Sequence, residues 1–196
     1  MSIRAGALAL ALLLLSSTET WAEWQLRPFV GLTLGGDTTF VDLAGAAGSP
    51  NVVFGVNGAL LRDVFGIEAD FGYAPGFFQS GGEQLVRRNS ATTLTGNVII
   101  AVPRHKTEYT LGPYFVAGLG LMRVHIEDVL GVLTVVRMLP ALDIGGGVSG
   151  NLSERIGLIW EARYFSSIGK RTASGFSFGA EQLSFWRANM GLVIRY

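Results

Sequence analysis

Hydrophobic and polar residues alternate with a period of two along most of this 196-residue chain. Period two is the spacing of a strand whose side chains point alternately to two faces. The stretch "WRANMGLVIRY" sets Trp186, Ala188, Met190, Leu192, Ile194 and Tyr196 on one face and Arg187, Asn189, Gly191, Val193 and Arg195 on the other. A second run sets Phe65, Ile67, Ala69, Phe71 and Tyr73 against Gly66, Glu68, Asp70 and Gly72. About eight such runs follow one another, over residues 24–34, 52–61, 65–73, 92–102, 109–122, 141–151, 156–165 and 186–196.

The connections alternate in length. Short polar turns fall at Arg62 and Asp63, at 103–108 ("PRHKTE") and at 153–155 ("SER"), whereas longer excursions rich in Gly, Ser and Thr occupy about 35–51, 74–91, 123–140 and 166–182. Strands of about 10 residues, with turns at one end and long loops at the other, predict an all-β, eight-stranded antiparallel up-and-down transmembrane β-barrel. Parity leaves an alternative open, because a soluble barrel shows the same alternation with its apolar face turned inward around a ligand. Aromatic residues near strand ends on the apolar face, Trp24, Tyr73, Tyr109, Tyr164, Trp186 and Tyr196, favour the membrane, where they form interfacial girdles. Within the third connection, the β-branched residues of "HIEDVLGVLTVVRML" alternate. This favours a hairpin extending the fifth and sixth strands over an apolar surface for a partner.

Composition narrows the class. Apolar residues make up 49% of the chain and charged residues 15%, yet past the N-terminus no run of about 18 apolar residues could form a spanning helix. Fifteen basic residues balance fifteen acidic ones, so there is no basic field to neutralise phosphates and nucleic acid is not an expected partner. The absence of cysteine removes disulfides, thiol nucleophiles and Cys-based zinc sites. Residues 1–22 have Arg4, an apolar core from Ala5 to Leu15 and a polar end at Thr20, Trp21 and Ala22, the layout of a secretory signal peptide. Cleavage after Ala22 is expected, with residues 23–196 forming the barrel domain.

The polar parity carries Arg27, Arg163, Arg187 and Arg195 with Glu68, Asp70, Asp143 and Glu161, four bases and four acids. Barrels of about eight strands are filled by side chains, and charges buried there must be paired. A lumen charge network of these eight residues is expected, although Arg27 and Arg195, near the short-turn end, fit a solvated rim equally well. The glycine runs at 34–36 and 144–147 match no phosphate-loop pattern; in strands they give room for large neighbours.

The segments "GPYFVAGLGLMRV" (112–124), "DIGGGVSGNLSERIGLIWEARYF" (143–165) and "MGLVIRY" (190–196) resemble the small eight-stranded outer-membrane β-barrel family, the OmpA-like and Opa-like porin-family barrels of Gram-negative envelopes. The resemblance spans essentially the whole chain after residue 22. It implies the cell outer membrane, termini on the periplasmic side, and a last strand read by the outer-membrane assembly machinery. Met190, Leu192, Ile194 and Tyr196 match that insertion signal, with Tyr in place of the commoner Phe. The implied role is structural or surface-interacting and non-enzymatic, without a catalytic, metal or cofactor site. The expected partners are outer-membrane lipid, the assembly machinery and an unidentified ligand of the loops. Two other readings stay open. One is a narrow, low-conductance pore; the other is a lipid A-modifying hydrolase using His125 with Ser166, Ser167, Glu127 or Asp128. His105 reads as a solvated turn residue.

Overall fold

In the computed structural model, residues 22–38, 50–62, 64–77, 86–102, 111–128, 134–168 and 183–196 are described. They form eight strands, β1 (Glu23–Thr38), β2 (Asn51–Leu61), β3 (Phe65–Pro75), β4 (Val86–Ala101), β5 (Leu111–Asp128), β6 (Thr134–Asn151), β7 (Ile156–Ser167) and β8 (Leu183–Arg195). Each pairs antiparallel with its chain neighbour, and β8 pairs with β1, closing the sheet without an edge. Closure satisfies every ladder along the wall, as a strand structure in hydrocarbon requires.

The register sets the shape. Register partners lead around the wall from Trp24 through Leu60, Ile67, Val98, Ala117, Ile144, Tyr164 and Trp186 to Leu34. One circuit therefore climbs ten residues along β1, from 24 to 34. With a rise of about 3.3 Å per residue and strands about 4.8 Å apart, that stagger tilts the strands by roughly 40°. The ladder between β1 and β8 shifts between Leu34 and Asp37, and Gly35 there has φ 55°, a left-handed conformation that a glycine adopts at a bulge without strain.

The apolar parity faces outward on every strand. Phe65, Ile67, Phe115, Leu119, Leu94, Val98, Phe54 and Leu192 are among the many large apolar side chains exposed on the outer wall, Phe115 by 69%. A soluble, ligand-holding barrel needs the opposite arrangement, so that alternative fails here. A continuous apolar outer surface is what acyl chains cover. Its two ends are marked by aromatic residues. Trp24 and Tyr196 stand at the end where β2 turns into β3. Tyr73, Tyr164 and Trp186 stand at the other end, and the Tyr164 and Trp186 rings lie 5.2 Å apart.

Several strands overrun the expected limits at the loop end. Within the excursion expected over 123–140, β5 and β6 continue as the favoured hairpin, through Ile126↔Val135 and Glu127↔Thr134. Similarly, β4 begins at Val86, not residue 92. Residues 1–21, and with them the expected signal segment, lie outside the described residues, as do the loop stretches 39–49, 78–85 and 169–182, Tyr109 and His105.

Candidate functional site: the layered lumen

Inward positions on a strand are every second residue, so each strand carries a short column of lumen side chains. On β7 the column reads Ile159, Glu161, Arg163, Phe165; on β8, from the turn end, it reads Val193, Gly191, Asn189, Arg187, Phe185, Leu183. Both run from apolar through polar and charged back to apolar. The stagger brings these columns into layers.

The middle layer holds the charges. The Arg163 guanidinium reaches Glu68 Oε1 at 2.7 Å through Nη1 and Glu161 Oε1 at 2.6 Å through Nη2. Its Nη1 also lies 3.5 Å from Asp143 Oδ2 and 3.7 Å from Asp70 Oδ2. Arg187 donates to both oxygens of Asp70, at 3.0 and 2.6 Å. This is the bidentate geometry in which a planar guanidinium matches a carboxylate. Arg27 meets Glu68 Oε2 at 3.4 Å and also donates to Gln25 Oε1. All of these charged side chains are buried.

Neutral groups complete the layer. Tyr114 donates to Glu161 Oε1 at 2.5 Å, and Asn189 to Glu161 Oε2 at 3.0 Å. Thr95 donates to Asp143 Oδ2 at 3.1 Å, and Asn97 reaches Glu68 Oε1 at 3.0 Å. Asn57 fits with its amide nitrogen 2.7 Å from Asp70 Oδ2 and its oxygen 3.2 Å from Arg163 Nη2. Charges removed from water need such additional donors to offset desolvation.

Glycines make the room. A Cβ built on Gly72 would stand 2.7 Å from Arg187 Nη1, and one on Gly147 would stand 2.9 Å from both the Tyr114 hydroxyl and the Glu161 side chain. On β2, Gly55 lies under the Phe29 ring in the same way. The glycines that interrupt these strands are thus the counterpart of the large lumen residues opposite them.

Apolar clusters flank the charged layer. Toward the turn end, Ala59, Ile99, Tyr114 and Val116 pack together. Toward the loop end a larger cluster includes Phe29, Val53, Phe77, Met122, Val124, Phe165, Leu183 and Phe185. Phe165 stacks on Phe185 with centroids 5.2 Å apart, and Phe77 meets Phe185 edge-on at 4.9 Å. Arg187 bridges the layers, its guanidinium carbon 4.7 Å from the Phe29 ring centroid and 4.6 Å from that of Phe165. The inward parity, mostly polar in sequence, is thus apolar at its loop-end portion.

Seven of the eight expected lumen charges come together, and Arg27, which fitted a rim equally well, is among them. Arg195 stands apart at the turn end, where it pairs with the partly exposed Glu23 at 2.7 Å and donates to Asn151. The middle layer therefore sets three guanidiniums against four carboxyls. Asp143 is the least compensated of the four: its Oδ1 is buried and has no hydrogen-bond partner among the described residues. Asp143→Asn is therefore expected to leave stability within about 1 kcal/mol of wild type or to raise it. Asp70→Asn, which strips Arg187 of its bidentate partner, should cost about 3–5 kcal/mol. Chemical unfolding of the refolded protein in detergent measures both, and equal losses would contradict the charge excess.

Met190, Leu192, Ile194 and Tyr196 line the outer face of β8, Tyr196 exposed by 82%, and the Tyr196 N–H donates to the Trp24 carbonyl at 3.0 Å. The two serines weighed for hydrolysis lie away from His125. His125 faces Ser90 and Val136 across its ladders, whereas Ser166 and Ser167 lie on β7, two strands away. Among the described residues no group of three or more His, Cys, Asp and Glu side chains could hold a metal ion.

A closed eight-stranded wall with an apolar exterior and a charged interior is the setting for the comparisons with known proteins. The family model described as outer membrane protein beta-barrel domain matches residues 8–186. The chain belongs to this family. As an outer-membrane β-barrel it resides in the outer membrane, and solved structures share its fold. Neisserial surface protein A superposes with a TM-score of 0.64 at 13% identity, covering 90% of this chain and 100% of that one. OprG of Pseudomonas aeruginosa gives 0.53 at 13% identity, over 89% and 96% of the two chains. The N-terminal barrel domain of Pseudomonas aeruginosa OprF gives 0.51 at 15%, over 90% and 100%. No curated protein matches the chain at a significant level.

Proposed function

We propose that this outer-membrane barrel is a non-enzymatic scaffold with a closed lumen, whose loop end faces outward from the cell to meet a structural or surface partner. The observation that carries the reading is the layering: a hydrogen-bonded charge network between two buried apolar clusters. An ion entering from the loop end would first have to part the Phe165, Phe185, Phe77 and Met122 packing. It would then break ion pairs that have no bulk water to replace them. A conducting pore has no need of guanidiniums locked to carboxylates across its width. The outward orientation of the loop end follows from the longer connections there, since barrels of this kind keep their shorter turns in the periplasm.

The assembly machinery is proposed as a second partner, reading the outer row Met190, Leu192, Ile194 and Tyr196. Acyl chains contact the remaining outer wall. Planar-bilayer recording on the refolded barrel tests the closed lumen: the expected trace shows no steady conductance. Stable, reproducible conductance steps would replace this reading with the narrow pore.

A further inference from the structure

One outward stretch of wall departs from the apolar pattern. On β5 the outward positions run Phe115, Ala117, Leu119, Leu121 and then Arg123 and His125, with Met122 and Val124 turned into the lumen between them. Arg123 is exposed and, among the described residues, makes no ion pair or hydrogen bond. Its register neighbours are Thr92 on β4 and Met138 on β6, and Thr92 in turn pairs with Tyr73 on β3. Arg123 thus stands in the same ladder row as an aromatic residue that marks the upper edge of the apolar wall. The next outward row holds Ser90, His125 and Val136. Above it the register sets Arg88 opposite Glu127.

The position explains the charge. A base on the lipid-facing wall costs about 2–4 kcal/mol at the bilayer midplane but only about 0–1 near the interface. Arg123 occurs where the apolar column ends, at headgroup height on the loop-end side. Directly below it, exposed Leu121, Leu94 and Leu119 continue the wall into the acyl region. Cross-strand partners have Cβ atoms about 4.5–5.5 Å apart, so the hydroxyls of Thr92 and Ser90 lie beside the two basic side chains. The planar fork of a guanidinium matches phosphate oxygens in a bidentate way.

We propose that Arg123, with Thr92, Ser90 and His125, forms a binding site for the phosphate of an outer-leaflet glycolipid whose acyl chains lie on the leucines below. The proposal commits to a lipid phosphate over free phosphate because the donors sit at the top of an apolar surface that only a lipid can also cover. It rests on the outer-membrane placement and on the proposed outward orientation of the loop end, and is independent of whether the lumen conducts.

The test measures how much diphosphorylated lipid A, or its dephosphorylated form, stays bound to the detergent-purified protein in native mass spectrometry. Wild type should retain the diphosphorylated form about tenfold more than Arg123→Ala, the loss of one charge-assisted contact. The dephosphorylated form should bind wild type and variant alike, and excess inorganic phosphate should not displace the lipid. Arg155→Ala, at a turn on the opposite end, should behave as wild type. Equal retention of the two lipid forms by wild type would overturn the site without recourse to any variant. So would undiminished binding by Arg123→Ala, or by Arg123→Gln should the alanine variant fail to fold. Displacement by inorganic phosphate would overturn the lipid assignment.

Discussion

Replacing Arg163 with methionine is expected to lower the stability of the folded barrel by about 3–5 kcal/mol, the cost of leaving buried charges without their partner. Arg163 is the hub of the middle layer: it binds Glu68 and Glu161 and lies within 4 Å of Asp70 and Asp143. Without it Glu161 keeps, among the described residues, only Tyr114 and Asn189 as donors, and Glu68 keeps Asn97 and an Arg27 contact of 3.4 Å. Methionine roughly fills the space, so the loss reports charge and hydrogen bonding more than a cavity. Arg163→Lys should recover only part of it, because a single ammonium cannot span Glu68 and Glu161 as the guanidinium fork does. Guanidinium titration followed by tryptophan fluorescence in detergent or vesicles measures the effect. A loss below about 1 kcal/mol would mean that these charges are not energetically coupled, and the closed-lumen proposal would lose its main support.

The same network shows which parts of the molecule can be read from residues alone. The wall was legible because burial acts oppositely on the two faces of a strand, which leaves a period-two trace wherever one face meets lipid. Thus β3 and β7 lie within two residues of the expected 65–73 and 156–165. The trace fails where a strand rises above the membrane and both faces meet a similar environment. Arg123 interrupts the apolar parity after Met122 for that reason, and the continuation of β5 to Asp128 was legible only from the alternating β-branched residues beyond it, which favoured the hairpin. The lumen acids and bases were legible as types, since a charge on the inward parity has few other places to go. Their partners were not. Glu68 and Arg163 are 95 residues apart and meet only because the wall climbs ten residues per circuit, a stagger that no local pattern encodes. Asn57, Asn97, Thr95 and Asn189 lay on the polar parity too, but a neutral polar residue there fits water as well as a carboxylate. Phe165 and Phe185, on the same parity, become an apolar cluster only once β7 and β8 are set side by side.

Deleting Tyr196 is expected to separate assembly from stability. Its ring is almost fully exposed, and its one backbone hydrogen bond, to the Trp24 carbonyl, helps fasten the end of β8 to β1. Losing one such bond costs about 1 kcal/mol, small beside the loss at Arg163. Barrel refolded in detergent should therefore unfold at nearly the wild-type denaturant concentration without Tyr196. In cells, by contrast, most of the variant should fail to reach the heat-modifiable, membrane-inserted form, because an outer row ending at Ile194 lacks the aromatic residue proposed as part of the signal. Tyr196→Phe keeps the ring and should insert as wild type does. The paired measurement decides between two causes. If insertion and in vitro stability fall together, the residue matters for folding, and no separate recognition step is needed. Wild-type insertion of the deletion variant would remove Met190, Leu192, Ile194 and Tyr196 as the proposed signal. Normal stability combined with failed insertion is the result that a partner reading this outer row requires.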